Sequence, residues 1–211
     1  MKLISASGVV DLRTSAGVGP VLYRASIPVD VPGHATPLII TDAAVNIAPS
    51  LGEKRDITQN AIDLAQALGV ESVRVAILSA TESVNAKMPS TLDAAALCKM
   101  ADRGQITGGI LDGPLALDNA IDLEAARIKK IHSPVAGQAN VLVVPDLEAG
   151  NMLAKSLTFL ARADAAGIVL GARVPIILTS RADSRLTRLA SCAVASLFAA
   201  AQRAHRSLPE V

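Results

Sequence analysis

The chain has 211 residues, is 51% hydrophobic and carries a formal net charge of +1. This near-neutral balance argues against an electrostatic nucleic-acid binder, which usually shows a basic face and a high pI. Only Tyr23, Phe159 and Phe198 are aromatic. The core must therefore be packed from small branched aliphatic side chains, which suits helices laid closely on a parallel sheet.

Neither a secretion signal nor a membrane span is indicated. The amino end lacks the long apolar core of a signal peptide, and no later apolar run reaches membrane-spanning length. The two cysteines, Cys98 and Cys192, lie far apart and lack metal-ligand spacing. They indicate reduced, buried thiols of a cytoplasmic protein.

The first part of the chain predicts strands that alternate with a helix. Residues 1–20 are rich in Gly and Ser and predict a loop, and residues 21–29 could form a strand. Residues 37–41 predict a second strand. Apolar residues recur at helical spacing over 57–68, and 73–78 predict the next strand.

The alternation continues to residue 128. Residues 90–93, Ser-Thr-Leu-Asp, resemble a capping box with Asp in place of Glu and open a predicted helix. Residues 106–111 predict a short strand that runs into 112–114, Asp-Gly-Pro, where a turn is expected. A helix is predicted over 118–128.

The stretch 133–157, SPVAGQANVLVVPDLEAGNMLAKSL, is the first place to look for a ligand site. Residues 140–144 predict a buried strand, which Pro145 ends because proline cannot donate to a strand ladder. A predicted helix opens at Gly150 and runs through Lys155. Ligands of open α/β sheets bind beyond the carboxyl ends of the strands, and helix amino termini suit anions.

Polar side chains collect where this strand meets the helix. Asp146 and Glu148 lie in a predicted loop, and Asn151 lies at the predicted start of the helix. The two acids could act as a carboxylate pair. Alternatively, Glu148 simply places a favourable negative charge near a helix start.

The carboxyl-terminal part predicts strands at 168–170 and 175–179 and a final helix over 184–206. Burying a Leu, Val or Phe side chain is worth about 1.5–3 kcal/mol. We therefore expect the apolar face of this helix to be covered, either by residues 21–165 or by a second copy of the chain. The face consists of Leu186, Leu189, Ala190, Ala193, Val194, Leu197 and Phe198.

The alternating elements predict βαβ crossovers and an α/β fold, a mainly parallel sheet with flanking helices. Parallel strands bring their carboxyl ends to one edge, so the polar groups that follow the strands could share a cleft. These groups are Thr41-Asp42, Ser79, Asp112-Gly113, Asp146 and Ser180-Arg181.

Ser180 and Arg181 form the most suggestive pair. A guanidinium fork, a hydroxyl and helix N–H groups together could cradle a phosphate. Alternatively, Ser180 or Asp183 caps the final helix and Arg181 is solvated. Asp42 and Asn46 could likewise be ordinary helix-start residues. The sequence shows no Ser-His-Asp constellation, dinucleotide-binding fingerprint or metal-ligand cluster.

Three segments of the chain resemble the phosphate acetyltransferase and phosphate butyryltransferase family. They are DGPLALDNAI (112–121), SPVAGQANVLVVPDLEAGNMLAKSL (133–157) and PIILTSRADS (175–184). The similarity also runs through TDAAVN (41–46) and KMPSTLDAAALCKMADRGQI (87–106). The KMPST and SRAD sequences look more like the butyryl branch, and they also fit a relative fused to an enoyl-CoA hydratase domain.

The resemblance implies a reaction in which acyl phosphate and coenzyme A give acyl-CoA and phosphate. It implies no metal and no tightly bound cofactor, because coenzyme A is a substrate. The implied fold is a two-domain α/β architecture of the isocitrate/isopropylmalate dehydrogenase type, with the active site in the cleft between the domains. Members of the family are generally dimers or larger.

The resemblance also assigns roles to residues. Ser180 and Arg181 would contact the acyl phosphate and stabilise charge on its oxygens. In acetyltransferases an acid several positions further on is proposed to deprotonate the thiol. Here that position holds Thr187 and the nearest acid is Asp183, so the base stays open with Asp183 as the candidate. The expected substrate contacts are Asp42, Asn46, Asp112, Gly113, Asp146, Glu148 and Asn151.

Family enzymes are longer, with an amino-terminal α/β portion ahead of the position that matches residue 20. We therefore expect 1–20 to be a poorly defined segment, 21–165 to be the second, inserted domain, and 166–211 to be the returning segment of a first domain that is largely missing. An alternative function is a non-catalytic acyl-CoA-sensing or oligomerisation domain. The expected partners are acyl-CoA, acyl phosphate, phosphate and further copies of the chain, not nucleic acid or a membrane.

Overall fold

The computed structural model describes residues 24–32, 36–172 and 174–206. The expectations for 1–20 and for the first three residues of the strand predicted at 21–29 lie outside these ranges. The strands are β1 (Arg24–Asp30), β2 (Leu38–Thr41), β3 (Arg74–Leu78), β4 (Ile110–Leu115), β5 (Val141–Val143), β6 (Asp164–Ala165), β7 (Ile168–Leu170) and β8 (Ile176–Ile177). The α-helices are α1 (Leu51–Ala67), α2 (Pro89–Asp102), α3 (Leu117–Ile121), α4 (Leu123–Ile128), α5 (Leu147–Lys155) and α6 (Arg185–Arg206).

The strands form a single mixed sheet in the order β4-β3-β5-β2-β1-β7-β8, with β6 also paired to β1. The β2–β5, β5–β3 and β3–β4 pairs are parallel, whereas β1 runs antiparallel to β2, β6 and β7, and β8 runs antiparallel to β7. Six of these strands therefore share one direction, and β1 and β8 run opposite to them. The predicted mixed α/β fold with a mainly parallel sheet is confirmed.

Helices cover both faces of the sheet, because successive strand residues point to opposite sides. Ile39 packs in a core with α1, α2 and α6, where Phe198 is buried. Ile40 packs in a second core with α3, α4 and α5, where Ala154 is buried. None of the helices in the described ranges combines the length and apolarity needed to cross a bilayer.

Two helices, α1 and α2, begin at other residues than predicted, because the residue at each helix amino terminus that acts as the cap is not the predicted one. Ser50 and Glu53 form a complete capping box, so α1 begins six residues before the predicted helix. The capping box predicted at 90–93 is wrong, since α2 begins at Pro89 without a side-chain cap. The Ser90 hydroxyl lies instead 2.8 Å from the Ser79 hydroxyl.

The strand predicted at 106–111 lies at Ile110–Leu115, so 112–114 is part of β4 and the turn prediction is wrong. Gly108 has a φ of +81°, which turns the chain before the strand begins. The helix predicted at 118–128 is two helices, α3 and α4, that meet at Asp122. The Asp122 carboxylate caps α4 by accepting the N–H of Ala125 at 2.6 Å.

The predicted loop at Asp146 and Glu148 is also wrong. Asp146 is the N-cap of α5, and its carboxylate accepts the N–H of Ala149 at 2.8 Å. Glu148 lies in the first helical turn, so Gly150 and Asn151 are inside the helix instead of opening it. Beyond α5 the chain passes into one π-helical turn, Ser156–Leu160.

Helix α6 buries only part of the apolar face predicted to be covered. Phe198 is 5% exposed and packs in the core. Three leucines of the same face remain open to solvent, with Leu186 57%, Leu189 59% and Leu197 54% exposed. The described residues of this chain therefore cover one side of the helix and leave an apolar side uncovered.

Candidate functional site

Asp42 organises the loop that follows β2. Its carboxylate accepts the backbone N–H groups of Ala44, Val45 and Asn46, each at 3.0 Å, and the Asn46 side-chain amide also donates to it. The Asp42 side chain is buried. Since the backbone of its own loop occupies both carboxylate oxygens, Asp42 acts here by shaping the loop.

The start of α5 packs directly against this loop. A Cβ atom at Gly150 would lie 2.8 Å from the Asp42 carbonyl oxygen, so only glycine allows this approach. The Asn151 amide donates to the Ala43 carbonyl oxygen at 3.4 Å. The structure thus brings together five of the expected substrate contacts, which we call the carboxyl-edge cluster: Asp42, Asn46, Asp146, Glu148 and Asn151.

Asp112 and Gly113 lie away from this cluster. Asp112 pairs with Ala76 inside the β3–β4 ladder, and β4 is separated from β2 by three strand spacings, about 14 Å. The Asp112 carboxylate accepts the N–H of Gly113 at 2.8 Å. Nearby, burial and then the charge of Asp112 raise the pKa of the Cys98 thiol to about 12.

Ser180, Arg181 and Asp183 form a tight turn between β8 and α6. The Ser180 N–H donates to the Asp183 carboxylate, and the Asp183 N–H donates to the Ser180 carbonyl oxygen at 3.2 Å. The Ser180 hydroxyl oxygen accepts the N–H of Ala182 at 3.3 Å, which leaves its proton available to a ligand. Arg181 is exposed and makes no hydrogen bond or ion pair with other described residues.

Helix α6 is capped by Ser184, not by Ser180 or Asp183 as one alternative proposed. The Ser184 hydroxyl accepts the N–H of Thr187 at 3.0 Å and also contacts the Thr187 hydroxyl. We call residues 180–184 the Ser180 turn. It places a hydroxyl, a guanidinium and a helix amino terminus next to one another, a donor set that suits a phosphoryl group.

The Ser180 turn and the carboxyl-edge cluster lie at opposite ends of the strands. Strand β8 runs opposite to β2, so the chain leaves β8 toward the amino end of β2. The expectation that Ser180-Arg181 shares one cleft with the groups after β2 and β5 is therefore wrong for this structure. The error has a simple cause, because the cleft argument assumed that every strand was parallel.

A further polar group lies beyond the carboxyl ends of β3 and β4. Lys129 bridges Glu82 and Asp118, each at 2.9 Å, and the Asn119 amide also donates to Glu82. The hydrogen bond from Lys129 lowers the pKa of Glu82 and of Asp118. Sequence reasoning missed this group because its members are up to 47 residues apart and share no local pattern.

Within residues 24–32, 36–172 and 174–206, no three His, Cys, Asp or Glu side chains come close enough to hold a metal ion.

The family of the chain follows from its similarity to known proteins. A family model described as phosphate acetyl/butaryl transferase matches residues 23–196. The chain belongs to this family. The resemblance found in the sequence is thereby confirmed.

Curated relatives in the phosphate acetyl/butaryl transferase family carry both names. A phosphate acetyltransferase of Rhizobium meliloti is 68% identical over 199 residues, which are 94% of this chain and 61% of the relative. A phosphate butyryltransferase of Clostridium acetobutylicum is 49% identical over 162 residues, which are 77% of this chain and 54% of the relative.

The fold agrees with solved structures of similar proteins. A branched-chain phosphotransacylase from Enterococcus faecalis superimposes with a TM-score of 0.78 at 36% identity, covering 84% of this chain and 63% of that one. The matched part of this chain thus spans between about half and two-thirds of the length of its relatives.

Proposed function

We propose that the protein is a phosphate acyltransferase that moves an acetyl or butyryl group between phosphate and coenzyme A. The observation that carries the proposal is the 68% identity to a protein named phosphate acetyltransferase over 94% of the chain. Relatives named for either acyl group are similar to this chain. Their names favour an acyltransferase over an acyl-CoA-sensing domain.

The proposed chemistry is a direct displacement. The coenzyme A thiolate attacks the acyl carbonyl carbon, the C–S bond forms, and the C–O bond to phosphate breaks with its electron pair leaving on phosphate. The Ser180 hydroxyl and the Arg181 guanidinium would donate hydrogen bonds to the phosphate and to the developing oxyanion. The free N–H groups in the first turn of α6 would add positive potential.

Asp183 remains the proposed base for the thiol proton. One of its carboxylate oxygens accepts the Ser180 N–H, and this bond fixes the carboxylate beside the hydroxyl that would hold the substrate. Thr187 has no basic group, and its hydroxyl lies 3.0 Å from the Ser184 hydroxyl. The geometry therefore supports Asp183 over the position where acetyltransferases place their acid.

The remaining expected substrate contacts are proposed with two different roles. Asn46, Glu148 and Asn151 present polar groups at the carboxyl edge and would contact substrate directly. Asp42 and Asp146 would act by holding the loop and the helix start on which those groups lie. Asp112 and Gly113 remain proposed contacts from within β4.

For the whole protein we propose the two-domain architecture of the isocitrate/isopropylmalate dehydrogenase type. Residues 21–165 would form the inserted domain, and 166–211 would return to the other domain. We further propose a cytoplasmic homodimer or larger assembly. The exposed leucines of α6 and the two free cysteines fit that proposal.

The test is turnover of acetyl phosphate and butyryl phosphate with coenzyme A. Turnover is monitored by the loss of the free thiol of coenzyme A. Arg181→Ala should lower kcat about 100- to 1,000-fold, as expected for the loss of an oxyanion donor. Arg188→Ala, an exposed arginine one turn into the same helix, is the matched control and should retain activity. Full turnover by Arg181→Ala would contradict the proposed role.

A further inference from the structure

The first turns of α6 and the neighbouring ends of β1 and β6 carry exposed apolar and charged side chains side by side. We propose that this surface, which we call the α6 patch, binds the same surface of a second copy of the chain by two-fold symmetry. The patch consists of Asp30, Asp164, Arg185, Leu186 and Leu189. The inference rests on the assembly included in the proposed function and specifies how the copies meet, and it does not depend on acyl transfer.

The centre of the α6 patch is apolar. Leu186 is 57% and Leu189 is 59% exposed, and residues three positions apart are neighbours on a helix surface. Leu186 also lines a shallow groove together with Ala190. On the side of the sheet this groove is lined by Val29 and Ala165. Contiguous exposed apolar surface of this kind marks an association site.

One flank of the α6 patch is acidic. Asp30 and Asp164 pair directly across the β1–β6 ladder, and both line the groove. Both residues are exposed, and neither side chain makes a hydrogen bond or an ion pair with other described residues. Like charges directly opposite each other in a sheet are destabilising. These two carboxylates therefore lack a cation that a partner could supply.

The other flank of the α6 patch is basic. A helix turns by about 100° per residue, so Arg185 lies about 100° to one side of Leu186. Ala190, which lines the groove, lies about 40° to the other side. Arg185 is exposed and has no hydrogen-bond or ion-pair partner for its side chain among the described residues. Helix α6 contains no acidic residue that could neutralise it.

The order of the groups across the patch, acidic, apolar and then basic, is self-complementary. A rotation of 180° about an axis through the two leucines brings the acidic flank of each copy to the basic flank of the other. The leucines of both copies then meet at the centre and leave water together. A partner that was only acidic or only basic would be repelled by one of the two flanks. The arrangement of charge therefore favours a second copy of this chain.

The test uses charge reversal, followed by sedimentation velocity of the 211-residue chain without substrate. The wild-type chain should be a dimer at micromolar concentration. Asp30→Lys/Asp164→Lys makes both flanks positive, and Arg185→Glu makes both negative. Each variant alone should dimerise about 100-fold more weakly, because like charges then face each other. An equimolar mixture of the two variants should recover the dimer, since opposite charges meet again at both flanks.

Arg203→Glu is the matched control. It makes the same charge change on the same helix, about 27 Å further along, and should leave dimerisation unchanged. If a charge-reversed chain does not fold by circular dichroism, Leu189→Glu at the centre of the patch decides the question. This variant should also be a monomer where the wild-type chain is a dimer.

A monomeric wild-type chain would overturn the proposal, as would wild-type dimerisation by folded Arg185→Glu or Leu189→Glu. Two folded, monomeric charge-reversed chains that stay monomeric when mixed would also overturn it. A dimer that turns over no acyl phosphate would contradict the proposed reaction and leave the α6 patch intact. A monomer that does turn over acyl phosphate would contradict only the α6 patch and the proposed assembly.

Discussion

The hydroxyl of Ser191 accepts a hydrogen bond from the backbone N–H of Gly167 at 2.9 Å and donates to the Thr187 carbonyl oxygen at 2.8 Å. The Gly167 carbonyl oxygen in turn accepts the N–H of Leu178. A Cβ atom at Gly167 would lie 2.4 Å from the Leu178 carbonyl oxygen, so the approach requires glycine. The contacts at Gly167 thus hold three parts of the molecule in fixed positions relative to one another: α6, the sheet, and the segment that leads into the Ser180 turn.

Ser191→Ala should destabilise the protein by about 1–3 kcal/mol, because it leaves the Gly167 N–H without its acceptor in a buried place. The measurement is urea unfolding followed by circular dichroism. Ser196→Ala on the exposed side of the same helix is the control and should change stability by less than about 0.5 kcal/mol. Equal stability of the two variants would refute the structural role of Ser191.

Gly150→Ala should also be destabilising, by about 1–3 kcal/mol. The new methyl would lie 2.7 Å from Cγ2 of Val144 and 2.8 Å from the Asp42 carbonyl oxygen, so helix α5 would have to move off the β2 loop. Gly52→Ala in the first turn of α1 meets no atom within 4 Å and should instead stabilise by about 0.5–1 kcal/mol. Thermal unfolding of both variants distinguishes these opposite signs.

The two cysteines should differ sharply in reactivity. With its pKa raised to about 12, the Cys98 thiol is ionised in only about one molecule in ten thousand at pH 8. Cys192 is exposed. In the folded protein an aromatic disulfide reagent should therefore modify one thiol per chain quickly, and Cys192→Ser should remove that phase. Two fast thiols in the folded protein would contradict this prediction.

Lys129→Met should lower stability slightly at pH 7 by removing the bridge between Glu82 and Asp118. The folded-state pKa of Glu82 is lowered from 4.5 and that of Asp118 from 3.8, so their contribution is present above those values and is lost as the pH falls through the folded pKa values. The folded-state pKa of Lys129 is raised from 10.5, so the bridge also weakens at more alkaline pH. The difference from wild type should shrink at both extremes in denaturant titrations.

The sequence predicted most helices and strands because their signals are local. Short apolar runs placed β2 and β3 within one residue, and the apolar periodicity placed α6. Helix starts were less predictable because a cap depends on which of several polar residues adopts the extended backbone. Ser50, Asp146 and Ser184 cap helices in the structure, and only the last lies where a helix start was predicted.

The candidate site was predictable only in part. The proximity of Asp42, Asn46 and Asn151 was predictable because the groups follow two parallel neighbouring strands, β2 and β5. The position of the Ser180 turn was not predictable, because the direction of β8 depends on a pairing between residues 168 and 177 that no local pattern indicates. The Lys129 bridge is of the same kind, since it joins segments that meet only in the folded chain.

The two outermost strands of the sheet limit how copies of this protein can associate. One edge is β4, which contains Pro114 and therefore lacks one backbone donor. The other is β8, which is only two residues long. Neither strand offers a long template on which another chain could add a strand. Among the described residues, the exposed leucines of α6 are therefore a better candidate for contact between copies than either edge strand, and single substitutions of those leucines can change such a contact without disturbing the sheet.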